Sequence, residues 1–370
     1  MSTTAVPDVP ETTPAPQSMA KLRAAHPMRR RPFFALSADA ALAASGQARG
    51  PAGADRDARD LPSGAPAGGT GLAIAIHAVQ CMLRESGLDA QLPFALSSWP
   101  GLGAGRHVIE GFRTHAVDLA GSSGIVPIQA RDVGVGARIV SVRTHSRPGF
   151  VLATAPGGSI ASAAGFRGGR IGIPEEEAQG VAVLRALREA GLESADVTLV
   201  PLPGDQLLGA LQTGRVDVAP LGEPALTAYL ARHGGDGARR VTTGVVDELS
   251  VLWAPAEVLE DDAKAEAVRA FLPLYARGVV WAWEHPEQWV RSYYAEEQGL
   301  STADGHRIVA AGGAPAFPVA WDRAVAWQQE TADLMRQSGF VGEVDAAQLF
   351  DRRFEGVTAQ AVPARYRTTS

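Results

Sequence analysis

The chain has 370 residues, of which 46% are hydrophobic and 20% charged, which is the composition of a globular protein. A chain of this length can bury two hydrophobic cores. Its formal net charge is −6, and no basic stripe with interleaved aromatics is present, so nucleic-acid binding is not expected. The single cysteine, Cys81, excludes an internal disulfide and a multi-cysteine zinc site, and no metal or cofactor is expected. No apolar run in the sequence is long enough to span a bilayer.

Residues 1–60 are predicted to form a disordered extension and linker, rich in Pro, Thr, Ala and Gly. Within it, the cluster Arg29–Arg31 precedes a short, weakly apolar segment that resembles a twin-arginine export signal, although Asp39 interrupts the apolar part. Two alternatives stand. The segment directs the protein to the periplasm or cell exterior, or it exports nothing and the protein is cytoplasmic.

The rest of the chain contains an internal repeat of about a hundred residues. The sequence LRESGLD at 83–89 recurs as LREAGLE at 187–193, and FRTHAVDLA at 112–120 recurs in the same order as LQTGRVDVA at 211–219. Each copy predicts a helix that ends at glycine, a short apolar strand, a second helix and a second strand. The first predicted helix of copy one covers 72–86, and that of copy two contains Val181, Leu184 and Leu187 and ends at Gly191.

The two copies differ at their start. Copy two opens with a predicted strand at 169–173, but the equivalent position of copy one, before about Pro62, holds the charged stretch 55–61 with little strand propensity. Either that strand is degraded and lies at a sheet edge, or residues 32–36 supply it across the linker.

Strands that alternate with helices predict an α/β fold of two lobes, each with a mostly parallel sheet flanked by helices. Lobe one is predicted to comprise 61–153 and 246–370, and lobe two 154–245. The chain is expected to cross between them near 137–153 and again near 245–253. Four C-terminal helices are predicted to pack on lobe one, at 263–275, at 279–294, from Ser301, and at 322–338.

Three segments carry a family resemblance: FRGGRIGIP at 166–174, LGEP at 221–224, and 272–286 with its two tryptophans and His-Pro pair. Over residues 62–340 the chain resembles the solute-binding proteins of ABC importers for sulfonates, taurine, nitrate and thiamin pyrimidine precursors. The resemblance implies a type II periplasmic-binding fold, with a hinge of two crossovers and a small molecule held by loops at the sheet edges. It also implies a transporter permease as partner.

The repeat predicts three pairs of loops around the cleft: 63–70 with 175–180, 97–101 with 203–205, and 121–124 with 222–224. Ligand-binding residues are predicted in or beside these loops, namely Ser63, Gly64, Trp99, His107, Ser122, Ser123, Glu175, Glu176, Gln179 and Glu223. Ser122 and Ser123 precede a predicted helix, where they would bind an oxyanion or merely cap the helix. Trp99 would cover the apolar or planar part of a ligand.

Glu175, Glu176 and Glu177 open the helix of lobe two, where relatives commonly have small hydroxyl residues. Three carboxylates suit a helix N-terminus but would repel an anion at short range. An anionic ligand and a cationic or neutral heterocycle therefore both stand as alternatives, as does the interpretation that these glutamates are only solvated charges.

The same fold also supports enzymes, such as desulfinases with a cysteine nucleophile and a pyrimidine-forming enzyme with a histidine in the cleft. Cys81 is predicted to lie inside the helix 72–86, where a cysteine is usually a small buried hydrophobe. His107 is better placed for chemistry. A binding role is therefore favoured, with an enzyme that uses His107 and Cys81 as the alternative.

Overall fold

The computed structural model describes residues 70–76, 78–101, 105–175, 177–245 and 249–369. In these ranges the strands are β1 (Gly71–Ala75), β2 (Ala95–Ser98), β3 (Leu119–Ser123), β4 (Ala137–Thr144), β5 (Val151–Thr154), β6 (Arg170–Ile173), β7 (Thr198–Pro201), β8 (Val218–Leu221), β9 (Arg240–Val241), β10 (Leu249–Pro255), β11 (Phe317–Pro318) and β12 (Arg367–Thr368). The α-helices are α1 (Val79–Ser86), α2 (Arg106–Arg113), α3 (Ile125–Asp132), α4 (Ala178–Glu189), α5 (Leu207–Gln212), α6 (Ala225–His233), α7 (Ala256–Glu260), α8 (Asp262–Glu284), α9 (Pro286–Trp289), α10 (Thr302–Gly312), α11 (Asp322–Gln337) and α12 (Val357–Gln360). A π-helical segment, Val290–Glu297, follows α9. No helix in the described ranges is long and apolar enough to cross a membrane.

Two five-stranded sheets define the two lobes. Sheet one has the order β2-β1-β3-β10-β4, and sheet two has the order β7-β6-β8-β5-β9. In each sheet one strand, β10 or β5, is antiparallel to both of its neighbours, and the remaining pairs are parallel. The predicted pair of mostly parallel sheets is therefore confirmed. We call the part built on sheet one lobe one and the part built on sheet two lobe two.

The connections between the sheets orient the lobes. Strand β4 ends at Thr144 at the edge where the parallel strands of sheet one end, and β5 begins at Val151 beside Leu221, the last residue of β8. Strand β9 likewise ends at Val241, and the chain returns to the same edge of sheet one at Leu249. Because the first connection has only six residues, Thr144 and Val151 lie within about 25 Å of each other. The carboxyl ends of both sets of parallel strands therefore face one another.

The structure corrects the predicted start of lobe one. Residues Gly71–Ala75 form β1, which pairs with both β2 and β3, and the following helix begins only at Val79. The predicted helix over 72–86 therefore begins too early, and the first strand predicted before Pro62 lies instead at Gly71–Ala75, so both predictions are wrong. Leu72 and Ile74 are fully buried, and a short apolar run buried on both faces has no period that separates strand from helix.

The repeated Val-Asp pair has the same structural role in both lobes. The Asp118 carboxylate accepts a hydrogen bond from the Ala73 N–H at 2.8 Å, and the Asp217 carboxylate accepts one from the Arg170 N–H at 2.7 Å. Each aspartate thus ties the strand that follows it to the neighbouring parallel strand, β1 or β6. A cation completes each arrangement, Lys264 on Asp118 at 2.8 Å and the Arg170 guanidinium on Asp217 at 2.6 Å.

The C-terminal helices differ from the prediction in two ways. The two helices expected at 263–275 and 279–294 begin as one 23-residue helix, α8, which continues through Pro273 and packs on α1 and β1. The Asp261 side chain caps it by accepting from the Ala263 and Lys264 N–H groups. The last long helix, α11, contacts α3 of lobe one and also α4 of lobe two, so it does not pack on lobe one alone.

Candidate ligand-binding site

The carboxyl edge of sheet one places several polar side chains toward the gap between the lobes. Ser122 and Ser123 are the last two residues of β3, not part of a loop as predicted, and Gly124 alone separates them from α3. The Ser122 hydroxyl donates to the Ser123 carbonyl at 2.9 Å, so it does not cap the helix. Both serines are half-buried at this edge.

Arg143 is the basic residue of this edge. In the sheet register Ser123 lies opposite Ser250, and Ser250 lies opposite Arg143, so the three residues are adjacent across β3, β10 and β4. The Arg143 Nη2 donates to the Ser250 hydroxyl at 3.1 Å, and the His145 Nε2 lies 2.8 Å from the same oxygen. The sequence analysis missed Arg143 and His145. Their position within the predicted crossing segment at 137–153 was the available signal.

The charge of Arg143 has no carboxylate partner among the described residues. Its Nε is buried and makes no hydrogen bond within them, and its one side-chain hydrogen bond there is to the neutral Ser250 hydroxyl. Removing a charge from water is costly unless an opposite charge or several hydrogen bonds compensate for it. This arrangement therefore suits an anionic ligand at the carboxyl edge.

His145 does not add a second charge near neutral pH. Burial, and after it the positive charge of Arg143, lowers the pKa of His145 to about 4. A neutral imidazole can accept a hydrogen bond from the Ser250 hydroxyl, while the Ser250 oxygen accepts one from the Arg143 guanidinium. The cluster thus presents one positive charge with its hydrogen bonds aligned.

The other lobe-one residues predicted to bind ligand lie at different parts of the same edge. Trp99 follows β2 directly and is half-buried against the core, and His107 is an exposed residue in the first turn of α2. Ser63 and Gly64 lie outside the described residues. They also precede β1, so the segment equivalent to 175–180 of lobe two is 76–78, and the predicted pairing of 63–70 with 175–180 is wrong.

In lobe two, local hydrogen bonds account for two of the acidic side chains near the gap. The Glu177 carboxylate accepts from the Gly204 N–H at 3.0 Å, and the Glu223 carboxylate accepts from the Thr227 hydroxyl at 2.9 Å and from its N–H at 3.3 Å. Glu175 is exposed, and Glu176 lies outside the described residues. Gln179, in the first turn of α4, has a buried Oε1 without a hydrogen-bond partner in the described part of the chain.

Cys81 lies in α1, away from the polar cluster. Its side chain is 1% exposed, and its Sγ accepts a hydrogen bond from the Arg84 Nη2 at 3.5 Å. Burial, followed by the charge of Glu297, raises the pKa of the thiol to about 12. Since the thiolate is the nucleophilic form, this cysteine is not activated for attack.

Two surface cavities lie at the opposite edges of the sheets. One, of about 250 Å³, is bordered by Asp118 and Lys264, and the other, of about 520 Å³, by Arg170 and Asp217. In both cavities these charges are paired with each other. The unpaired charge of Arg143 lies at the carboxyl edge, so we place the candidate site there.

Comparison with known families identifies the chain. The model of the NMT1/THI5-like family matches residues 103–289, just over half of the sequence. The chain belongs to the NMT1/THI5-like family. The matched region extends from α2 to α9 and includes Arg143, His145 and Ser250.

Relatives of this NMT1/THI5-like chain are named aliphatic sulfonates-binding proteins. The one from Escherichia coli is 27% identical over 147 residues, which cover 40% of this chain and 46% of that protein. The one from Bacillus subtilis is 24% identical over 264 residues, or 69% of this chain and 76% of that protein.

Solved structures confirm the periplasmic-binding fold. The crystal structure of the periplasmic aliphatic sulphonate binding protein SsuA from Escherichia coli aligns with a TM-score of 0.66 and 22% identity, and the alignment covers 77% of this chain and 98% of that one. The desulfurization enzyme DSZB aligns with a TM-score of 0.51 and 17% identity, over 78% of this chain and 99% of that one. The fold is therefore shared by a binding protein and an enzyme.

Proposed function

We propose that this chain is a solute-binding protein that captures a small organic sulfonate between its two lobes for an ABC importer. The observation that carries the proposal is the Arg143 charge, which has no carboxylate partner among the described residues and lies where the carboxyl edges of both sheets meet. The family and the names of the relatives support the same ligand class.

The chemistry of Arg143 suits a sulfonate. A guanidinium has five donors in a planar fork that matches oxyanions bidentately, and Ser250 receives one of these hydrogen bonds. The Ser123 hydroxyl, at the end of β3, lies at the same edge and would add a donor, and the Ser122 hydroxyl would add another by turning away from the Ser123 carbonyl. Trp99, which follows β2, would cover the apolar chain of the ligand. Closure of lobe two would exclude water and strengthen these contacts.

The acidic residues of lobe two fit this proposal. Because Glu177 and Glu223 are engaged with backbone and hydroxyl donors of their own lobe, they do not need to face the ligand. Gln179 would offer a neutral polar group from α4, and Glu175 remains as a solvated charge.

We further propose that the protein acts outside the cytoplasm and delivers its ligand to a permease, as the periplasmic relatives suggest. The possible export signal near Arg29–Arg31 lies outside the described residues. Cys81 does not favour the enzyme alternative, since it is buried and its raised pKa keeps the thiol protonated.

A thermal-shift screen of the full chain tests the proposal. Ethanesulfonate, butanesulfonate and taurine are compared with propionate, nitrate, a pyrimidine and an aromatic sulfinate. A ligand at a thousand times its dissociation constant adds about 4 kcal/mol of stability. We expect a rise in melting temperature with at least one sulfonate and recovery of that sulfonate unchanged. A response to the other compounds alone, or consumption of a sulfinate, would contradict the proposal.

A further inference from the structure

A buried arginine connects the two lobes at a distance from the strand crossings. Arg185 belongs to α4 of lobe two, and its side chain is 6% exposed. Its guanidinium carbon lies 3.9 Å from the ring centroid of Trp327, and its Nη2 donates to the Thr331 hydroxyl at 2.5 Å. Both partners belong to α11, so a desolvated cation of lobe two is held by one C-terminal helix.

The same helix is fixed to lobe one beside the candidate site. Gln328, one turn before Thr331, is 1% exposed, and its side-chain amide donates to the carbonyl of Gly124. Gly124 directly follows Ser123 at the carboxyl edge of sheet one. Just beyond α11, the Gly342 N–H donates to Asp132 at the end of α3, at 2.7 Å. Consecutive turns of α11 therefore contact the carboxyl edge of sheet one and helix α4 of lobe two.

We propose that Arg185 is the positioning residue of a third connection between the lobes. Its contact with Trp327 and Thr331 is kept while the lobes rotate, and so acts as a pivot. Pulling Arg185 away from Trp327 and Thr331 would leave a cation in apolar surroundings without its partners, which is far costlier than a rotation that keeps the contact. The exposed Glu330 carboxylate lies at the rim of this contact, 3.8 Å from the Arg185 Nη1 and 3.6 Å from the Arg188 Nη2. The part that concerns ligand-driven closure rests on the proposed function.

A cross-link tests whether the contact stays closed. Cysteines at positions 188 and 330 (Arg188→Cys with Glu330→Cys) are joined by a short bifunctional thiol reagent, and binding of ethanesulfonate is measured with and without the link. A pivot predicts a dissociation constant within about twofold of the unlinked variant. A tenfold loss on linking would overturn it, because the contact would then have to open. The unaltered chain, whose one thiol is buried, is the control for the reagent.

A second measurement needs no ligand, so it separates the pivot from the proposed function. Spin labels at Arg113→Cys on α2 and Arg232→Cys on α6 report the distribution of distances between the lobes. We expect Arg185→Met and Thr331→Val to broaden this distribution at least twofold, and Thr331→Ser, which keeps the hydroxyl, to restore the native width. An unchanged distribution in folded Arg185→Met and Thr331→Val proteins would overturn the pivot whether or not any sulfonate binds.

Discussion

Asp118 and Asp217 show how one residue type can hold the same strand pair together in both lobes. Each accepts a backbone N–H from the first strand of its sheet, and each is paired with a cation. Each aspartate lies immediately before the third strand of its parallel set, β3 or β8, and its hydrogen bond links residues 45 or 47 positions apart. These two hydrogen bonds therefore help to fix the register of β1 against β3 and of β6 against β8.

Asp217→Asn is expected to destabilise the protein by about 1 kcal/mol, since a charge-assisted hydrogen bond is replaced by a weaker one on a partly exposed side chain. Urea denaturation measures the change.

The pKa of Asp217 lies below its usual value of 3.8, and the largest cause is the hydrogen bond from the Arg170 side chain. A lowered carboxylate pKa stabilises the fold above pH 3.8, and this contribution is lost as the pH falls through the folded-state pKa. The asparagine variant should lack this acid-dependent loss, and an equal loss in both proteins would refute the role of Asp217.

Cys81 is expected to resist modification in the folded protein. Its burial and a pKa of about 12 leave almost no exposed thiolate at pH 8, so iodoacetamide should label it only after denaturation. Cys81→Ala should lower stability by about 1 kcal/mol and leave sulfonate binding intact, since only a small buried group is removed. Rapid labelling of native protein, or loss of activity on a sulfinate in the variant, would instead support the enzyme alternative.

At the scale of elements, Gly124 joins the carboxyl edge of sheet one to α11, because its carbonyl accepts a hydrogen bond from the Gln328 side chain. A Cβ at this position would lie 2.6 Å from the Gln328 Oε1, and the Gln328 side chain is buried. Gly124→Ala should therefore cost about 1–3 kcal/mol through overpacking. Gly136, whose Cβ position is open, provides the matched control, and Gly136→Ala should change stability by no more than about 0.5 kcal/mol. Thermal denaturation of both variants distinguishes them, and equal melting temperatures would show that Gln328 can move aside.

The elements also show what the sequence could predict. The helix ends at Gly87 and Gly191 have the left-handed backbone that the glycine pattern indicated, and β6 and α11 lie within one residue of the predicted 169–173 and 322–338. Strand β1 was misassigned, because GLAIA is apolar on both faces and carries no strand period. The first strand of lobe one was therefore predicted before Pro62, and the loop that follows this strand was predicted at 63–70.

The candidate site was only partly predictable for a related reason. Trp99 follows β2, and Ser122 and Ser123 end β3, so their edge could be inferred from the order of elements. Arg143 and Ser250 are 107 residues apart and meet only because β10 inserts antiparallel between β3 and β4. No local pattern encodes that pairing, so the basic residue of the edge was missed.

At the scale of the whole molecule, two crossings that join like edges of two sheets create the site. The carboxyl ends of the parallel strands face each other, and the β4 crossing begins directly after Arg143 and Thr144. A ligand bound to Arg143 would therefore lie at the hinge, where a small rotation of lobe two covers it. The contact of α4 with α11 gives that rotation a fixed support.

Calorimetric titration of ethanesulfonate into the full chain and into Arg143→Met tests this account most directly. Losing hydrogen bonds from a charged group costs about 1.5–3 kcal/mol, so the variant should bind about 10- to 150-fold more weakly. Arg138→Met, at the amino end of the same strand, should bind as the unaltered protein does. Single-site binding that is weakened by Arg143→Met and unaffected by Arg138→Met is the predicted result. Equal affinity of all three proteins, or no binding to the unaltered chain, would contradict it.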